Sequence, residues 1–320
     1  MATNADYRLT MRAISQATLG GPEVLELVEM PRPDPAPTEV LLRVTAAGVN
    51  PVDWKVRAGG GFLGQPPFTV GWDVAGVVEE LGRGVTRFQA GDRVFGMPRF
   101  PREAAAYAEY VTSPSRQLAR TPESIGDVEA AALPLAGLTA WQALVETAEV
   151  QPGQRVLILG AAGGVGHLGV QIAKARGAHV IGTARSGKHA FLHELGVDEA
   201  IDYTSEWIGD RIRDVDVVLD LVGDEASPGA LSLLRDGGLF IAVPSGAGVD
   251  RLGELAGGRV RVTGILVEPD RAGLEAIAEL VTSGALRVHL ERTFPLAHAA
   301  EAHELGEAGR TQGKLVLTVD

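Results

Sequence analysis

The sequence predicts an α/β protein in which a doubly wound, parallel sheet is preceded by a smaller β-rich domain. Between residues 150 and about 290, short apolar runs alternate with helical stretches, as in sheets covered by helices on both faces. A glycine-rich turn at 160–166 follows one apolar run and opens a helix. Residues 11–120 instead hold short apolar runs separated by glycine- and proline-rich loops, which is typical of an all-β, barrel-like domain.

The elements follow from these patterns. In the front part, strands are expected around 40–44, 74–78 and 93–95. Helical stretches begin at Thr121-Pro122 and at Pro134, and the second runs to Glu146. Further strands are expected at 155–159, 179–183, 216–220, 238–243 and 260–267. The tail predicts a strand at 292–295, a helix at 297–308 and a last strand at 313–318 that returns to the first domain.

Two domains account for this organisation. We expect a β-rich domain over 1–125, completed by 290–320, and a doubly wound α/β domain over 126–289. Residues 1–10 are interpreted as a short extension, since they contain no apolar segment typical of a signal peptide.

Composition excludes several classes of function. The 320 residues are 45% hydrophobic and 22% charged, which is ordinary for a globular protein. Without cysteine there is no disulfide, no thiolate metal ligand and no cysteine nucleophile. A net charge of -12 with no basic tract argues against nucleic acid as a partner, and no apolar run is long enough to span a membrane. A cytoplasmic location is the simplest expectation.

The stretch from Arg155 to Arg176 is the predicted dinucleotide site. Ala161, Gly163 and Gly166 stand where a dinucleotide fingerprint has three glycines, with Gly164 and Val165 in the same turn. The following helix would direct its N-terminus, with free N–H groups, at a pyrophosphate. A doubly wound fold with a vestigial site is the alternative.

The residues after the second strand predict NADPH rather than NADH. An NAD site has an acidic residue about 20 positions beyond the last glycine, where it holds the ribose 2′-OH. Arg185 stands near that position with Ser186 and Lys188, and no carboxylate is expected near it. A guanidinium, an ammonium and a hydroxyl suit a 2′-phosphate. The alternative is a solvated basic loop.

Several stretches together resemble the medium-chain dehydrogenase/reductases, and within them the zinc-free quinone oxidoreductase branch that includes zeta-crystallin. These are AAGVNPVDWKVRAG at 47–59, VGWDVAGVVEELG at 70–82, GDRVFG at 91–96, AALPLAGLTAWQAL at 131–144 and GAAGGVG at 160–166. The resemblance implies a GroES-like, β-barrel-type substrate domain joined to a Rossmann domain, and a homodimer.

The resemblance also bears on zinc. Zinc enzymes of this family have a cysteine ligand where Asn50 stands and His-Glu where Trp72 and Asp73 stand. An amide and an indole cannot replace those ligands, so no catalytic metal is expected. The pairs His189/His193 and His298/His303 are interpreted as solvated surface histidines.

Roles for other residues are implied by the resemblance alone. Tyr203 is similar to a tyrosine on the 2′-phosphate, Thr139 resembles a hydroxyl that faces the nicotinamide, and the turn after Val243 resembles a wall of the carboxamide site. Asn50 and Lys55 are the candidate donors to a substrate oxyanion. Phe62, Met97 and Phe100 are candidate apolar walls, with core packing as the alternative.

The predicted activity is hydride transfer from NADPH to a small apolar electrophile, either a quinone or the C=C bond of an α,β-unsaturated carbonyl. Two alternatives remain. One is a redox-silent NADPH-binding protein. The other is a nucleotide hydrolase, because Gly182 to Lys188 is one residue short of a P-loop and Asp216 to Asp220 resembles a magnesium-binding strand. His189 weakens the second, because it stands where a Ser or Thr would bind magnesium.

Overall fold

The computed structural model describes residues 9–205, 207–223, 226–243 and 248–320, so most of the predicted N-terminal extension lies outside the described residues. The chain divides into two compact units. The first comprises residues up to Leu135 together with Pro269–Glu275 and Leu290–Asp320, and the second comprises Ala136–Glu268 and Ala276–His289.

The strands of both units are numbered along the chain. They are β1 (Thr10–Ser15), β2 (Glu26–Pro31), β3 (Glu39–Val49), β4 (Asp73–Leu81), β5 (Arg93–Gly96), β6 (Tyr110–Pro114), β7 (Leu118–Arg120), β8 (Arg155–Leu159), β9 (His179–Thr183), β10 (Glu199–Ile201), β11 (Val215–Asp220), β12 (Leu234–Ala242), β13 (Arg261–Gly264), β14 (Leu290–Pro295) and β15 (Lys314–Thr318).

The α-helices are numbered in the same way. They are α1 (Pro51–Gly59), α2 (Asp127–Ala131), α3 (Pro134–Trp141), α4 (Gly164–Ala175), α5 (His189–Glu194), α6 (Ala226–Leu231), α7 (Val249–Ala256), α8 (Arg271–Thr282) and α9 (Ala299–Glu307). A π-helical turn over Gln142–Thr147 continues α3.

The first unit is built on a seven-stranded sheet. Its order is β14-β15-β3-β4-β5-β7, with β6 also paired to β3, and β1 and β2 form a separate antiparallel pair. Alternate residues of β3, among them Val40, Leu42 and Val44, pack into one apolar core. The last strand, β15, runs antiparallel to β3 with Leu315 opposite Val49. The tail thus pairs with the sheet of the first unit.

The second unit is the predicted parallel sheet. Its order is β10-β9-β8-β11-β12-β13, and each adjacent pair is parallel. This is the doubly wound order 3-2-1-4-5-6, in which strands diverge from β8 and β11. All five predicted strands are present, and β8 and β9 have the predicted bounds. Only β10 was missed, because three residues are too few for a periodicity.

The chain passes from the first unit to the second ten residues later than the sequence suggests. Helix α2 belongs to the first unit because Asp127 is bonded into its sheet. Thr45 Oγ1 donates to Asp127 Oδ2 at 2.9 Å, and Arg93 Nη2 approaches Asp127 Oδ1 at 2.6 Å. The helix-start signal at residue 121 therefore marks a change of secondary structure within the first unit.

Candidate active site

In the glycine-rich turn between β8 and α4, the residue with a positive φ is Gly160. The φ of Gly160 is 74°, which only glycine adopts without cost. Its N–H donates to Thr183 Oγ1 at 3.1 Å, and the N–H of Ala161 donates to Thr183 O at 3.1 Å. The end of β9 thus fixes the turn, and the positive φ lies one residue before the predicted first position.

Ala161 is tolerated at that position because glycines give it space. Its methyl group is fully buried, and a Cβ built on Gly182 of β9 would lie 2.9 Å from it. A Cβ on Gly166 would lie 2.3 Å from Gly160 O and 2.7 Å from Ala161 Cα. Gly166 therefore performs the predicted packing role, since any side chain there would force α4 away from β8.

The N-terminus of α4 fits the pyrophosphate of a dinucleotide. Gly163, Gly164 and Val165 are half-buried, and a Cβ on Gly163 would meet only Gly160 O, at 3.4 Å. The first N–H groups of a helix have no acceptor within the helix, and the helix dipole is positive there. A diphosphate could therefore approach this backbone closely and accept from it.

The predicted 2′-phosphate residues come from two neighbouring strand ends. Arg185 and Ser186 follow β9 and are exposed, and Lys188 is half-buried in the same loop. Tyr203 follows β10 and is 51% exposed, with its hydroxyl accepting from Arg185 Nε at 3.4 Å. Because β10 lies beside β9, residues 18 apart in sequence meet at one sheet edge.

A carboxylate also lies at this edge, contrary to the sequence expectation. Asp202 Oδ2 accepts from the N–H of Ser186 at 2.9 Å. Its Oδ1 accepts from Thr204 Oγ1 at 2.6 Å and Thr204 N–H at 2.9 Å. Hydrogen bonds from Thr204 and Ser186 hold the Asp202 pKa well below its usual range. Counting along the chain missed it because it enters from the adjacent strand, and its oxygens hold the loop in place.

The other predicted cofactor contacts, Val243 and Thr139, both belong to the second unit. Val243 is half-buried after β12, and its N–H donates to Asp220 O at 3.0 Å. Thr139 is only 2% exposed within α3.

Asn50 lies in the core of the first unit and has a different role from the one expected. It precedes α1 and is 1% exposed. Its Nδ2 donates to Asp73 Oδ2 at 2.8 Å, and its Oδ1 accepts from Lys314 Nζ. The amide therefore bridges a buried carboxylate and a buried ammonium, and this placement does not support its acting as a direct donor to substrate.

The same residues do not fit a catalytic zinc. Trp72 is fully buried, and its indole N–H donates to Arg102 O at 2.7 Å, so it offers no lone pair. Asp73 accepts from the Leu135 N–H at 2.8 Å and has Lys314 Nζ 3.7 Å from its other oxygen. An ammonium thus faces this carboxylate, and a dication beside it would be repelled. Among the described residues, no cluster of three or more His, Asp and Glu side chains suits a metal.

Burial sets the charge state of this cluster. It raises the pKa of Asp73 to about 6 and the pKa of Asp53 to about 7, and it lowers the pKa of Lys314. Asp53 Oδ2 accepts from the Asn50 N–H at 2.7 Å and the Tyr107 hydroxyl at 2.9 Å. Its Oδ1 is buried and has no hydrogen-bond partner among the described residues.

A directed chain of hydrogen bonds joins Asp53 to helix α9. Because the Tyr107 hydroxyl donates to Asp53, it accepts from His303 Nε2 at 3.2 Å, and His303 Nδ1 in turn accepts from Arg57 Nη1 at 3.2 Å. Burial and the Arg57 charge lower the pKa of His303 to about 3, so the ring is neutral. Arg57 Nη2 pairs with Glu307 Oε1 at 2.7 Å.

The prediction that His303 is a solvated surface histidine is therefore wrong, because it is fully buried. Its partner in that prediction, His298, is exposed and bonds Glu301 at 2.7 Å. His189 and His193 are half-buried or exposed and contact backbone oxygens of Ala184 and Val197 at 3.2 Å each.

The remaining predicted substrate residues differ in exposure. Lys55 is exposed on α1. Phe62 is 52% exposed and meets the Phe100 ring edge to face at 5.7 Å, while Phe100 meets Trp72 at 5.4 Å. Met97 is fully buried and belongs to the core. Two edge-to-face contacts thus connect the buried Trp72 ring, through Phe100, to the exposed Phe62 ring.

The nucleotide-hydrolase interpretation is wrong. Gly182 lies inside β9, so Gly182 to Lys188 does not form one phosphate-binding loop. Asp216 accepts from the Arg155 N–H at 2.7 Å and from Arg235 Nε at 2.6 Å. Both of its oxygens therefore bind groups of neighbouring strands, which argues against a role as a magnesium ligand.

Comparisons with known proteins give the same family. An alcohol dehydrogenase GroES-like domain profile matches residues 36–123, and a zinc-binding dehydrogenase profile matches residues 195–317. The chain is 33% identical to mouse NAD(P)H oxidoreductase RTN4IP1, mitochondrial, over 88% of this chain and 82% of that protein. It is 35% identical to a 2-haloacrylate reductase of a Burkholderia species, over 93% and 96%.

Solved structures agree with the sequence matches. The quinone oxidoreductase of Coxiella burnetii superposes with a TM-score of 0.93 at 38% identity, covering 98% of this chain and 100% of that one. The Escherichia coli quinone oxidoreductase complexed with NADPH gives a TM-score of 0.86 at 31% identity, covering 97% of this chain and 100% of that one.

Within the described residues, none of the helices has the length and apolar character that a membrane span requires.

Proposed function

Because the chain belongs to the quinone oxidoreductase branch of the medium-chain dehydrogenase/reductases and is an NAD(P)H-dependent oxidoreductase, we propose that it uses NADPH to reduce quinones or the C=C bond of α,β-unsaturated carbonyls without zinc. The observation that carries the cofactor proposal is the glycine turn at Gly160 with the Arg185 and Tyr203 side chains at the neighbouring strand ends.

These residues would hold the cofactor at its two charged ends. The N–H groups at the start of α4 would bind the pyrophosphate, and Arg185, Ser186, Lys188 and Tyr203 would surround the 2′-phosphate. When bound, the nicotinamide supplies a hydride. Val243 and Thr139 are proposed to line the nicotinamide end.

The proposed acceptors follow from the donors that the chain offers. Oxidation of an alcohol develops alkoxide charge, which zinc carries in related enzymes. Here Asn50 and Asp73 face Lys314 instead, which supports an acceptor that needs no metal. A quinone or enone accepts hydride at a conjugated carbon and places the charge on a distant oxygen, where a hydrogen-bond donor suffices. The exposed Lys55 is the proposed donor.

Positioning would supply much of the rate. Holding donor and acceptor carbons in contact can contribute roughly 7 to 11 kcal/mol. The Phe62 and Phe100 rings are proposed to hold the apolar part of the substrate. The 2-haloacrylate reductase name of one relative supports C=C reduction, and the quinone oxidoreductase names support quinones.

An acceptor panel tests the proposal. A naphthoquinone, an ortho-quinone, a 2-alkenal and a cyclic enone are offered with NADPH, and primary and secondary alcohols are offered with NADP⁺. We expect oxidation of NADPH by at least one quinone or enone and little turnover of alcohols. Rapid alcohol oxidation with no quinone or enone consumed would overturn the assignment, and NADPH binding without any turnover would favour the redox-silent alternative.

The cytoplasmic location stays a prediction, because one relative is named as mitochondrial.

A further inference from the structure

His167 lies where the glycine turn becomes helix α4, and its imidazole is fully buried. Nothing in the proposed chemistry uses it. Both ring nitrogens nevertheless contact backbone groups: Nδ1 lies 3.0 Å from Gly163 O, and Nε2 lies 3.2 Å from His289 N. These contacts connect the proposed pyrophosphate turn to the segment that follows α8.

The partners determine the tautomer. A backbone N–H can only donate, so Nε2 accepts from His289. The proton of the neutral ring therefore resides on Nδ1, which donates to the carbonyl oxygen of Gly163. The same oxygen accepts the His167 backbone N–H at 3.0 Å. One histidine thus supplies two donors to one carbonyl.

This double contact fixes a peptide that would otherwise rotate easily. Gly163 has a φ of −81° and a ψ of −173°, and glycine restricts neither angle strongly. Because a trans peptide is planar, the C=O of Gly163 and the N–H of Gly164 point in opposite directions. Holding that C=O toward the helix therefore directs the Gly164 N–H outward, toward the proposed pyrophosphate site.

The ring itself is held from the side. The Phe191 ring lies 6.5 Å from the His167 ring and 4.8 Å from the His289 ring. The segment at its far end is also anchored independently, because Gln171 on the next turn of α4 donates to Arg287 O and accepts from Arg287 N–H, both at 2.9 Å. The His167 imidazole thus links the backbone of His289, in the segment after α8, to the carbonyl oxygen of Gly163 in the glycine turn.

We infer that His167 is a positioning residue for pyrophosphate binding, which it serves by fixing the Gly163–Gly164 peptide with its Nδ1–H. The inference rests on the proposed function, since it presumes that a dinucleotide binds at this turn.

Two substitutions separate positioning from simple stabilisation. His167→Phe keeps a planar ring but removes both hydrogen bonds. His167→Asn places its Nδ2 at the position of the imidazole Nδ1, so it can still donate to Gly163 while losing the contact with His289. The matched control is Gln171→Met, which removes the bonds of Gln171 to Arg287 and to the His167 carbonyl oxygen but leaves both imidazole contacts of His167 in place.

The readouts are the Kd of NADPH, the Kd of adenosine 2′-monophosphate and the melting temperature. We expect His167→Phe to weaken NADPH roughly three- to tenfold, as for one lost hydrogen bond. Adenosine 2′-monophosphate carries no pyrophosphate, so its affinity should not change. His167→Asn should stay within about twofold of the wild type for NADPH, and Gln171→Met should lower the melting temperature only.

Equal weakening of NADPH by His167→Phe and Gln171→Met, or wild-type affinity in His167→Phe, would overturn the inference. If the Phe variant does not fold, His167→Met provides the same comparison. If the wild type binds NADPH but reduces no acceptor, the proposed reaction is wrong. The NADPH affinities of the variants still test the inference about His167 in that case. A wild type that binds no dinucleotide overturns both.

Discussion

At the scale of single residues, the end of β9 holds the side chains proposed to select the cofactor. Arg185 brings a guanidinium beside the Tyr203 hydroxyl, and the oxygens of Asp202 are already engaged by backbone and hydroxyl donors from Ser186 and Thr204. The Asp202 carboxylate therefore holds the loop in place through these hydrogen bonds. This arrangement favours the 2′-phosphate of NADPH.

We expect Arg185→Ala to weaken NADPH by roughly 10- to 150-fold and leave NADH nearly unchanged, because one charge-assisted phosphate contact contributes about 1.5 to 3 kcal/mol. Isothermal titration with both cofactors measures this. The control is Arg213→Ala, which removes an exposed charge elsewhere in the same unit. Equal wild-type affinities for NADPH and NADH would contradict the prediction.

Lys55 carries a second prediction at this scale. If its ammonium donates to the developing oxyanion, Lys55→Met should lower kcat and kcat/KM together while the Kd of NADPH holds, since the interaction forms mainly in the transition state. Steady-state kinetics with the best acceptor measure both constants. Lys55→Arg retains a donor and should recover part of kcat. A change in KM alone would assign Lys55 to substrate binding.

At the scale of elements, buried polar contacts hold α1 and α9 together within the first unit. Arg57 of α1 bonds His303 and Glu307 of α9, and the chain continues through Tyr107 to Asp53. Both bonds to Asp53 end on one oxygen, which leaves the other oxygen buried as the site for a proton. This explains how a carboxyl group is tolerated there without a cation in direct contact.

The raised pKa of Asp53 makes stability depend on pH. Folding raises that pKa from 3.8 to about 7, so the folded state binds the proton more tightly than the unfolded chain. The contribution is complete below pH 4 and is lost as the pH rises through 7. Asp53→Asn keeps both accepted hydrogen bonds and does not titrate.

We therefore expect the free energy of unfolding of Asp53→Asn, relative to the wild type, to increase between pH 5 and pH 8 by about 1 to 3 kcal/mol. Urea unfolding at the two pH values measures this difference. The control is Asp236→Asn, whose side chain is 88% exposed and should show no such change. A relative stability independent of pH would show that Asp53 is ionised at pH 5.

At the scale of the whole molecule, the first prediction is independence from metal. The Trp72 indole N–H donates to a backbone oxygen, Asn50 bonds Lys314, and the Lys314 ammonium lies 3.7 Å from Asp73, so these residues do not suit a zinc ion. Activity should survive exhaustive chelation, and elemental analysis should find far less than one zinc per chain. Stoichiometric zinc, or activity restored only by added metal, would refute this.

The second prediction for the whole molecule is a homodimer that is joined through the proposed dinucleotide-binding units. In the described sheet, β13 pairs with β12 on one side only, and Leu266 beyond its end is 54% exposed. An exposed edge strand can pair with a second copy. We expect a dimer by multi-angle light scattering, monomers for Leu266→Glu, and a dimer for the control Leu255→Glu on α7. A monomeric wild type would contradict this.

The sequence by itself determined the architecture and the type of turn. Periodicity is a property of adjacent residues, so the positions of β8, β9 and β15 followed from local patterns. The expectation that Asn50 and Trp72 do not bind zinc also came from the sequence, through the family resemblance and the chemistry of an amide and an indole N–H, and it stays a prediction.

Only the tertiary structure decided what surrounds those residues. Lys314 reaches Asn50 across 264 positions because β15 lies beside β3, and Arg57 reaches Glu307 across 250. Asp202 approaches Ser186 because β10 lies beside β9. The sequence predicts a solvated His303, whereas partners from other segments surround it in the core, and His167 likewise contacts a distant segment. Local patterns specify which face of an element is buried, whereas the partner of a buried polar group depends on which strand the chain places next to it.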